Sequence, residues 1–238
     1  MKYLIGIQPT GKLHIGNYLK CLAKGLKLQE EGHDVTFLIA NYHSMTTGTY
    51  TDVTEKELRR LGCKRVIMQT PEYFELFFEL CCKMNLGQLL KMPQYKDKKD
   101  KVEYDLGLLL YPVLMAADII ANNPDVIIVG ADQVAHIELT NDIVNRIRPG
   151  HRHFDYEFGD VDKIMSLQDP TTKMSKSSGE KHVLYLFDEN YKAKLRKANA
   201  TEEGLINLRK IGDYFGVERS DSNLEYKMRI AEKLEEIF

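Results

Sequence analysis

Four cysteines, Cys21, Cys63, Cys81 and Cys82, are all that the sequence holds, and none belongs to a C-x-x-C pair or a metal-ligand rhythm. That spacing argues against a disulfide framework or a zinc knuckle, and reduced thiols in a cytoplasmic setting are expected. Long apolar runs are missing too. The longest, Leu106 to Ala121, contains Pro112 and Asp118 and is too short to span a bilayer. The amino-terminal MKYLIGIQPTG meets Gly and Pro before the apolar region of a secretion signal can form. Neither membrane insertion nor secretion is expected. Charge of one sign is not in excess: 33 Lys and Arg stand against 35 Asp and Glu. No global basic field announces a nucleic acid, although a local basic face stays open. Low-complexity tracts, sustained heptads and solenoid repeats are absent as well.

What is present is the mix of an ordinary globular chain: 238 residues, 43% hydrophobic and 29% charged. The length suits one large domain, or one domain with a small appendage. Short apolar runs at Tyr3–Ile7, Val35–Ala40, Arg65–Met68 and Asp125–Val129 read as strands. Between them lie helix-like stretches: Gly16 to Glu31, Thr51–Arg60, Glu72–Leu90, Asp105–Ile120 and Ala131–Ile147. Lys96–Lys101 (KDKKDK) reads as a solvent loop and Gly150 to Thr172 as irregular. Glu189 to Phe238 is charged and helix-prone. Strand–helix alternation of this kind implies an α/β fold, a parallel sheet covered on both faces. In such sheets ligands sit beyond the carboxyl ends of the strands.

Two motifs stand out. The first is Gly6-Ile7-Gln8-Pro9-Thr10-Gly11, followed by His14-Ile15-Gly16-Asn17, at a strand end that opens a helix. Free N–H groups and the helix dipole suit a phosphate there. His14 and Asn17 offer donors from one turn. The second is Lys173-Met174-Ser175-Lys176-Ser177, where two cations flank small hydroxyl residues and can neutralise charge on a phosphate chain. Each alone is equally an ordinary βα turn or a solvated basic loop.

Taken together, on an α/β pattern, the two motifs resemble the paired signatures of class I aminoacyl-tRNA synthetases. GIQPTGKLHIGNY (6–18), YPVLMAADI (111–119), GADQVAHIELT (130–140) and IMSLQDPTTKMSKS (164–177) are similar to the corresponding segments of bacterial-type tryptophanyl-tRNA synthetases. The resemblance spans roughly residues 1–200. It implies a Rossmann-type catalytic domain over 1–177, with a shortened insertion at about 44–105, and a reduced helical C-terminal domain over 178–238. It implies formation of tryptophanyl-adenylate from L-tryptophan and ATP, with Mg²⁺ on the phosphates, and transfer to tRNA-Trp. No metal bound directly by the protein is implied. Asn17, Lys173 and Lys176 would be catalytic. Gln8, Pro9, Thr10, Gly16, Gly130, Ala131, Asp132, Ile164, Met174, Ser175 and Ser177 would complete the ATP site. Lys98 matches a phosphate-side lysine at a slightly different spacing.

By the same resemblance Leu4, His43, Tyr111, Met115, Asp118 and Gln133 would bind tryptophan. Tyr111, Met115 and Asp118 share one helical face. Asp118 is a carboxylate in an apolar helix, costly to bury without a partner, and an indole N–H is such a partner. Tyrosyl-tRNA synthetases are the relatives to separate. There the position of Met115 is usually Gln and that of Asn17 commonly His, so both residues here lean to tryptophan. The chain also departs from the family pattern. Only Ser178–Phe238 follow the second motif, Leu4 replaces a frequent aromatic, and Ala131 replaces a frequent acid. An adenylating paralogue that charges no tRNA, or a non-catalytic binding module, would explain such shortening. Lys192, Lys194, Arg196, Lys197, Arg209 and Lys210 form a candidate tRNA-facing strip. Glu72–Leu90 is a candidate homodimer surface.

Overall fold

The computed structural model describes residues 1–47, 50–98, 106–161 and 163–238, without the side chains of Thr47, Gln94, Asp97 and Lys98. Lys98 is the last residue of a short helix, Pro93–Lys98, and its side chain lies outside the described atoms, as do residues 99–105 of the expected insertion. Five strands, β1 (Lys2–Ile7), β2 (Asp34–Ile39), β3 (Arg65–Met68), β4 (Val126–Val129) and β5 (Asp155–Phe158), form one parallel sheet in the order β3-β2-β1-β4-β5. This is the parallel α/β sheet expected from the alternation of apolar runs and helices, in the Rossmann-type form that the family resemblance implied. In register, Ile5 stands opposite Phe37 and Tyr3 opposite Val126.

The chain divides into two compact units, Met1–Gly11 with Lys24–Gly159, and Lys12–Ala23 with Asp160–Phe238. The first holds the whole sheet. β2 and β4 are buried along nearly their full length because helices cover both faces. On one face, Leu4, Leu38, Ile127 and Val129 pack against Leu80, Val113, Ala117 and Ile137 from three helices, Pro71–Lys83, Leu106–Asn122 and Val134–Ile147. Each such side chain contributes roughly 1.5–3 kcal/mol by leaving water. On the other face, Gly25 of the Ala23–Glu30 helix lies so close to Ile5 and Phe37 that a Cβ would overlap the Ile5 side chain. The strand order reverses between β1 and β4, so the loops after these two strands face the crevice where such sheets bind ligands.

The second unit is mainly helical. Tyr191–Arg196, Glu202–Tyr214 and Asn223–Ile237 bury Leu195, Leu208, Ile211, Ile230 and Leu234 among themselves. Thr201 and Ser222 accept from backbone N–H groups at the starts of the last two helices, as N-caps do. The buried Lys227 ammonium donates to the Ala198 carbonyl at 2.6 Å, and its pKa is pushed down by burial.

Four local expectations change. Asp155–Phe158, expected to be irregular, is a strand. It is a short edge strand whose apolar residues Tyr156 and Phe158 are exposed, so the alternation never reads as a buried run; pairing to β4 decides it. The 72–90 stretch is two helices, because Asn85 accepts from Gly87 N–H at 2.8 Å and starts a new one at Leu86–Leu89. Residues 96–98 of the charged run are helical rather than loop, downstream of Pro93, whose fixed φ suits a first turn. The 16–31 helix contains a π-turn, Tyr18–Leu22, in which Ala23 N–H reaches the Tyr18 carbonyl.

Candidate functional site

In the first unit, a polar network lies beyond the carboxyl ends of the strands. Its centre is Asp118, on the Leu106–Asn122 helix and 5% exposed. Oδ1 of Asp118 accepts from Gln69 Nε2 at 2.5 Å, and Oδ2 lies 3.0 Å from His43 Nε2. Gln69 follows β3 directly and His43 follows β2, in the short Asn41–Ser44 helix. The Gln69 carbonyl oxygen accepts from Tyr42 N–H at 2.7 Å, and Gln69 N–H donates to Asn41 Oδ1 at 3.0 Å. The His43 ring meets the Tyr111 ring edge-on at 4.3 Å. His43 Nδ1 is buried with no hydrogen-bond partner among the described residues.

From Tyr111 the network runs to both loops at the switch point. The Gln8 side chain hydrogen-bonds the Tyr111 hydroxyl, and burial, reinforced by Asp118 and Asp132, pushes the phenol up to about 12. The Tyr111 ring lies 5.6 Å from that of His136. His136 Nδ1 meets Gln133 Oε1 at 2.9 Å, and Gln133 Nε2 donates to Asp132 Oδ2 at 2.7 Å. Burial lowers the His136 pKa to about 4, so the imidazole is neutral near pH 7. After β1, Thr10 N–H donates to the Gln8 carbonyl at 2.9 Å and Thr51 N–H to the Pro9 carbonyl at 3.0 Å. Gly11, at φ 128°, turns the chain, and its carbonyl accepts from the buried Thr54 hydroxyl at 2.8 Å. Gly130 is extended and leads into a 3₁₀ turn, Ala131–Gln133.

Thus the structure joins Gln8, His43, Tyr111, Asp118, Asp132 and Gln133, with Gln69 and His136, in one chain of hydrogen bonds and ring contacts. Leu4 and Met115 belong instead to the apolar cluster, Leu4 buried within it and Met115 half-buried against it. Sequence reading missed Gln69 and His136. The position of Gln69, immediately beyond a strand, was the available signal.

In the second unit, His14 and Asn17 form a reciprocal cap. His14 Nδ1 accepts from Gly16 N–H at 3.1 Å, and Asn17 Oδ1 accepts from His14 N–H at 3.1 Å. His14 is therefore not a donor through Nδ1. Its pKa is lowered to about 3 by burial, then by Lys176 and Lys173. A neutral ring whose Nδ1 accepts carries its proton on Nε2, which is the donor it can present. The Asn17 bond likewise leaves the amide nitrogen as its outward group.

Leu13, His14 and Ile15 lie alongside Leu184, Tyr185 and Leu186, with Ile15 N–H on the Leu184 carbonyl at 2.9 Å and Leu186 N–H on the Leu13 carbonyl at 3.0 Å. That pairing brings the first motif to the segment just after the second. Met174, 2% exposed, anchors the lysine loop, its N–H on the Ile164 carbonyl at 3.0 Å. Ser175 and Ser177 hydroxyls are 2.9 Å apart, and Lys176–Ser178 form a turn that ends at Gly179, φ 97°. Below the loop, the buried Asn207 clamps Met165 with two 2.8 Å bonds. A neutral imidazole beside two ammonium groups and a helix start is a cationic, donor-rich environment suited to phosphate oxygens.

The sequence pattern of tRNA synthetases class I (W and Y) matches residues 1–69 and 63–215. The chain is 37% identical over 238 residues to the tryptophan–tRNA ligase of Rickettsia bellii, covering 87% of this chain and 70% of that protein. It is similar in structure to tryptophanyl-tRNA synthetase from Mycoplasma pneumoniae, with a TM-score of 0.81 and 28% identity, over 98% of this chain and 84% of that one. The Campylobacter jejuni tryptophanyl-tRNA synthetase complexed with ADP and tryptophan superposes with a TM-score of 0.72 and 26% identity, over 99% and 85% of the two chains.

Proposed function

The chain belongs to the tRNA synthetases class I (W and Y), and from that premise we propose that it is a tryptophan–tRNA ligase: it activates L-tryptophan with ATP to the adenylate and transfers the aminoacyl group to tRNA-Trp. The observation that carries the specificity is Asp118, a buried carboxylate on an apolar helix, oriented by Gln69 and His43. Two carboxylate oxygens accept about four hydrogen bonds, so Asp118 retains capacity for an indole N–H. An amino acid lacking a donor there leaves that capacity unused in a buried place, which is how such sites discriminate. Tyr111 and Gln133 hold the α-amino and carboxylate groups, Met115 contributes apolar surface with Leu4 in the same apolar cluster, and His43 borders the ring. Gln8, Pro9, Thr10, Gly130, Ala131 and Asp132 serve the adenosine moiety of ATP in the first unit.

In the second unit, Gly16, Asn17, Lys173, Met174, Ser175, Lys176 and Ser177 serve the phosphates and Ile164 the adenine. The first step is in-line attack by the tryptophan carboxylate on the α-phosphorus, with pyrophosphate leaving. No enzyme nucleophile takes part, so positioning and charge stabilisation are what the protein supplies. Asn17, Lys173 and Lys176 are assigned the stabilising role. Mg²⁺ is assigned to the phosphates of ATP. The described residues contain no cluster of three or more His, Cys, Asp or Glu that would cage it, and the cationic surroundings of His14 suit phosphate oxygens rather than a metal.

We place residues 1–177 in the catalytic domain and 178–238 in a helical C-terminal domain. In the expected tRNA-facing strip, Lys192 pairs with Glu235 at 3.1 Å, and Lys194 pairs with Asp188 and Glu180. Arg196, Lys197, Arg209 and Lys210, all exposed, remain the proposed phosphate contacts. Phe74, Phe78, Leu86 and Leu90 are exposed apolar residues on the Pro71–Lys83 and Leu86–Leu89 helices and around their ends, and we assign them to a homodimer face. A cytoplasmic location, with the tRNA substrate, is part of the same reading. Among the described residues no helix is long and apolar enough to cross a membrane. ATP–pyrophosphate exchange with each amino acid, followed by charging of total tRNA, tests the proposal. Tryptophan should support exchange and tRNA-Trp should be charged; exchange that runs equally well with tyrosine overturns the specificity, and exchange without charging overturns the ligase.

A further inference from the structure

We propose that Gln69 is a specificity-determining positioning residue, which holds Asp118 as an obligate hydrogen-bond acceptor toward the amino-acid side chain. This rests on the reading that the pocket takes L-tryptophan. The geometry allows the Gln69 carboxamide one orientation. Its carbonyl oxygen is occupied by Tyr42 N–H at 2.7 Å, so the nitrogen must face Asp118, where it donates to Oδ1 at 2.5 Å. The backbone of Gln69 is itself fixed, its N–H shared between Asn41 Oδ1 at 3.0 Å and the Ile39 carbonyl at 3.3 Å. Gln69 and Asp118 are 4% and 5% exposed, so water does not compete for these bonds.

The chemical consequence follows from which groups carry hydrogens. A carboxamide NH₂ cannot accept, so Asp118 Oδ1 carries no proton in this arrangement. The other oxygen faces His43 Nε2 at 3.0 Å. With Asp118 as a carboxylate and the ring proton of His43 on Nε2, both oxygens have a donor already, the carboxylate plane is fixed, and what remains to the ligand is lone-pair capacity only. A ligand atom that donates satisfies it; a ring without an N–H does not. Gln69 achieves this from the end of β3, without itself needing to touch the ligand.

The test uses the full-length protein in tryptophan-dependent ATP–pyrophosphate exchange, with two amino-acid substrates. One is L-tryptophan. The other is 3-benzothienyl-L-alanine, which has the same bicyclic shape with sulfur in place of the N–H. Gln69→Met keeps side-chain length and removes both the donor and the acceptor. The KM for tryptophan should rise about tenfold, the loss of one well-placed hydrogen bond. The kcat at saturating tryptophan and the KM for the benzothienyl analogue should stay within about twofold. Preference for tryptophan over the analogue should thus fall by about the same tenfold. A purely structural role would move both KM values together, and that result overturns the proposal, as does an unchanged tryptophan KM. If Gln69→Met does not fold, Gln69→Glu carries the comparison. It keeps the shape and the acceptor for Tyr42 N–H, and its carboxyl group replaces the donor to Asp118 only while it holds a proton, so tryptophan preference should be kept at low pH and lost as pH rises, with no such pH dependence in the wild type. Wild-type protein that shows no tryptophan-dependent exchange overturns the functional reading instead, which keeps the two failures apart.

Discussion

Replacing Asp118 with Ala tests the pocket through stability as well as through binding. The substitution removes the acceptor of two donors, Gln69 Nε2 and His43 Nε2, in residues only 4% and 2% exposed. Neither group has water to turn to. An orphaned buried donor costs about 1–3 kcal/mol, so the pair costs about 2–6 kcal/mol. For a chain of this length that corresponds to a fall in Tm of roughly 4–24 °C. Asp118→Asn gives a smaller loss, about 1–3 kcal/mol. Its carbonyl oxygen still accepts one of the two donors, and only the other is orphaned. Thermal unfolding followed by far-ultraviolet circular dichroism measures both. Binding is read separately: the protein contains no tryptophan and 13 tyrosines, so indole emission excited beyond the tyrosine band comes from the ligand alone. Both variants should lose tryptophan affinity, and Asp118→Ala should lose about twice as much stability as Asp118→Asn. An alanine variant as stable as wild type would mean that the carboxylate does not satisfy Gln69 and His43, and the reasoning about the pocket would fail with it.

Other outcomes follow from the same structure. The His14 pKa is depressed to about 3 from an ordinary 6.5, so the unfolded chain binds the extra proton first. The stability this group contributes is whole above pH 6.5 and drains away as pH falls from there toward 3, by up to about 1.4 kcal/mol per unit. His136, lowered to about 4, adds a similar loss ending at its own pKa. His14→Asn keeps a capping side chain and should flatten part of the Tm-against-pH curve in this window, whereas a curve parallel to wild type would exclude burial of a neutral His14. Gly212→Ala should destabilise by about 1–3 kcal/mol, because its Cβ would overlap the Tyr226 hydroxyl. That hydroxyl is buried without a hydrogen-bond partner among the described residues, so Tyr226→Phe alone should be near neutral and should partly rescue the glycine variant in a double-mutant cycle of melting curves. Lys176→Ala should lower kcat for exchange by about 10²-fold with little change in tryptophan KM; equal effects on both would remove it from the phosphate step. Phe78→Lys on the exposed helix face, proposed above for a homodimer, should lower the sedimentation coefficient to that of a monomer, and an unaltered coefficient would count against that face as an interface.

The parts of the fold legible from residues alone were those that solvent decides. β1, β2 and β4 are buried runs, and a run of apolar residues announces itself without any partner. β5 was not legible, since Tyr156 and Phe158 stay exposed and only pairing to β4 makes the segment a strand. The site divides along the same line. Asp118 was conspicuous as an acid in an apolar helix. Its partner Gln69 lies 49 positions away and is an unremarkable polar residue until the ends of β2 and β3 bring it against the carboxylate. His14 could be picked out as a candidate phosphate donor, but not as an acceptor capping its own helix with a neutral ring, because that depends on burial and on Lys176 and Lys173 from far down the chain.

Local chemistry, then, is enough to determine that this chain makes a covered parallel sheet and to single out two loops as candidates for phosphate: hydrophobic spacing, glycine and the charge on a lysine are properties of residues and their near neighbours. Tertiary structure alone decided which lone pairs are already taken, which imidazole stays neutral, and which carboxamide holds the acid in place. Those are differences of hydration and of distance between segments remote in the chain, and no short stretch of residues carries them.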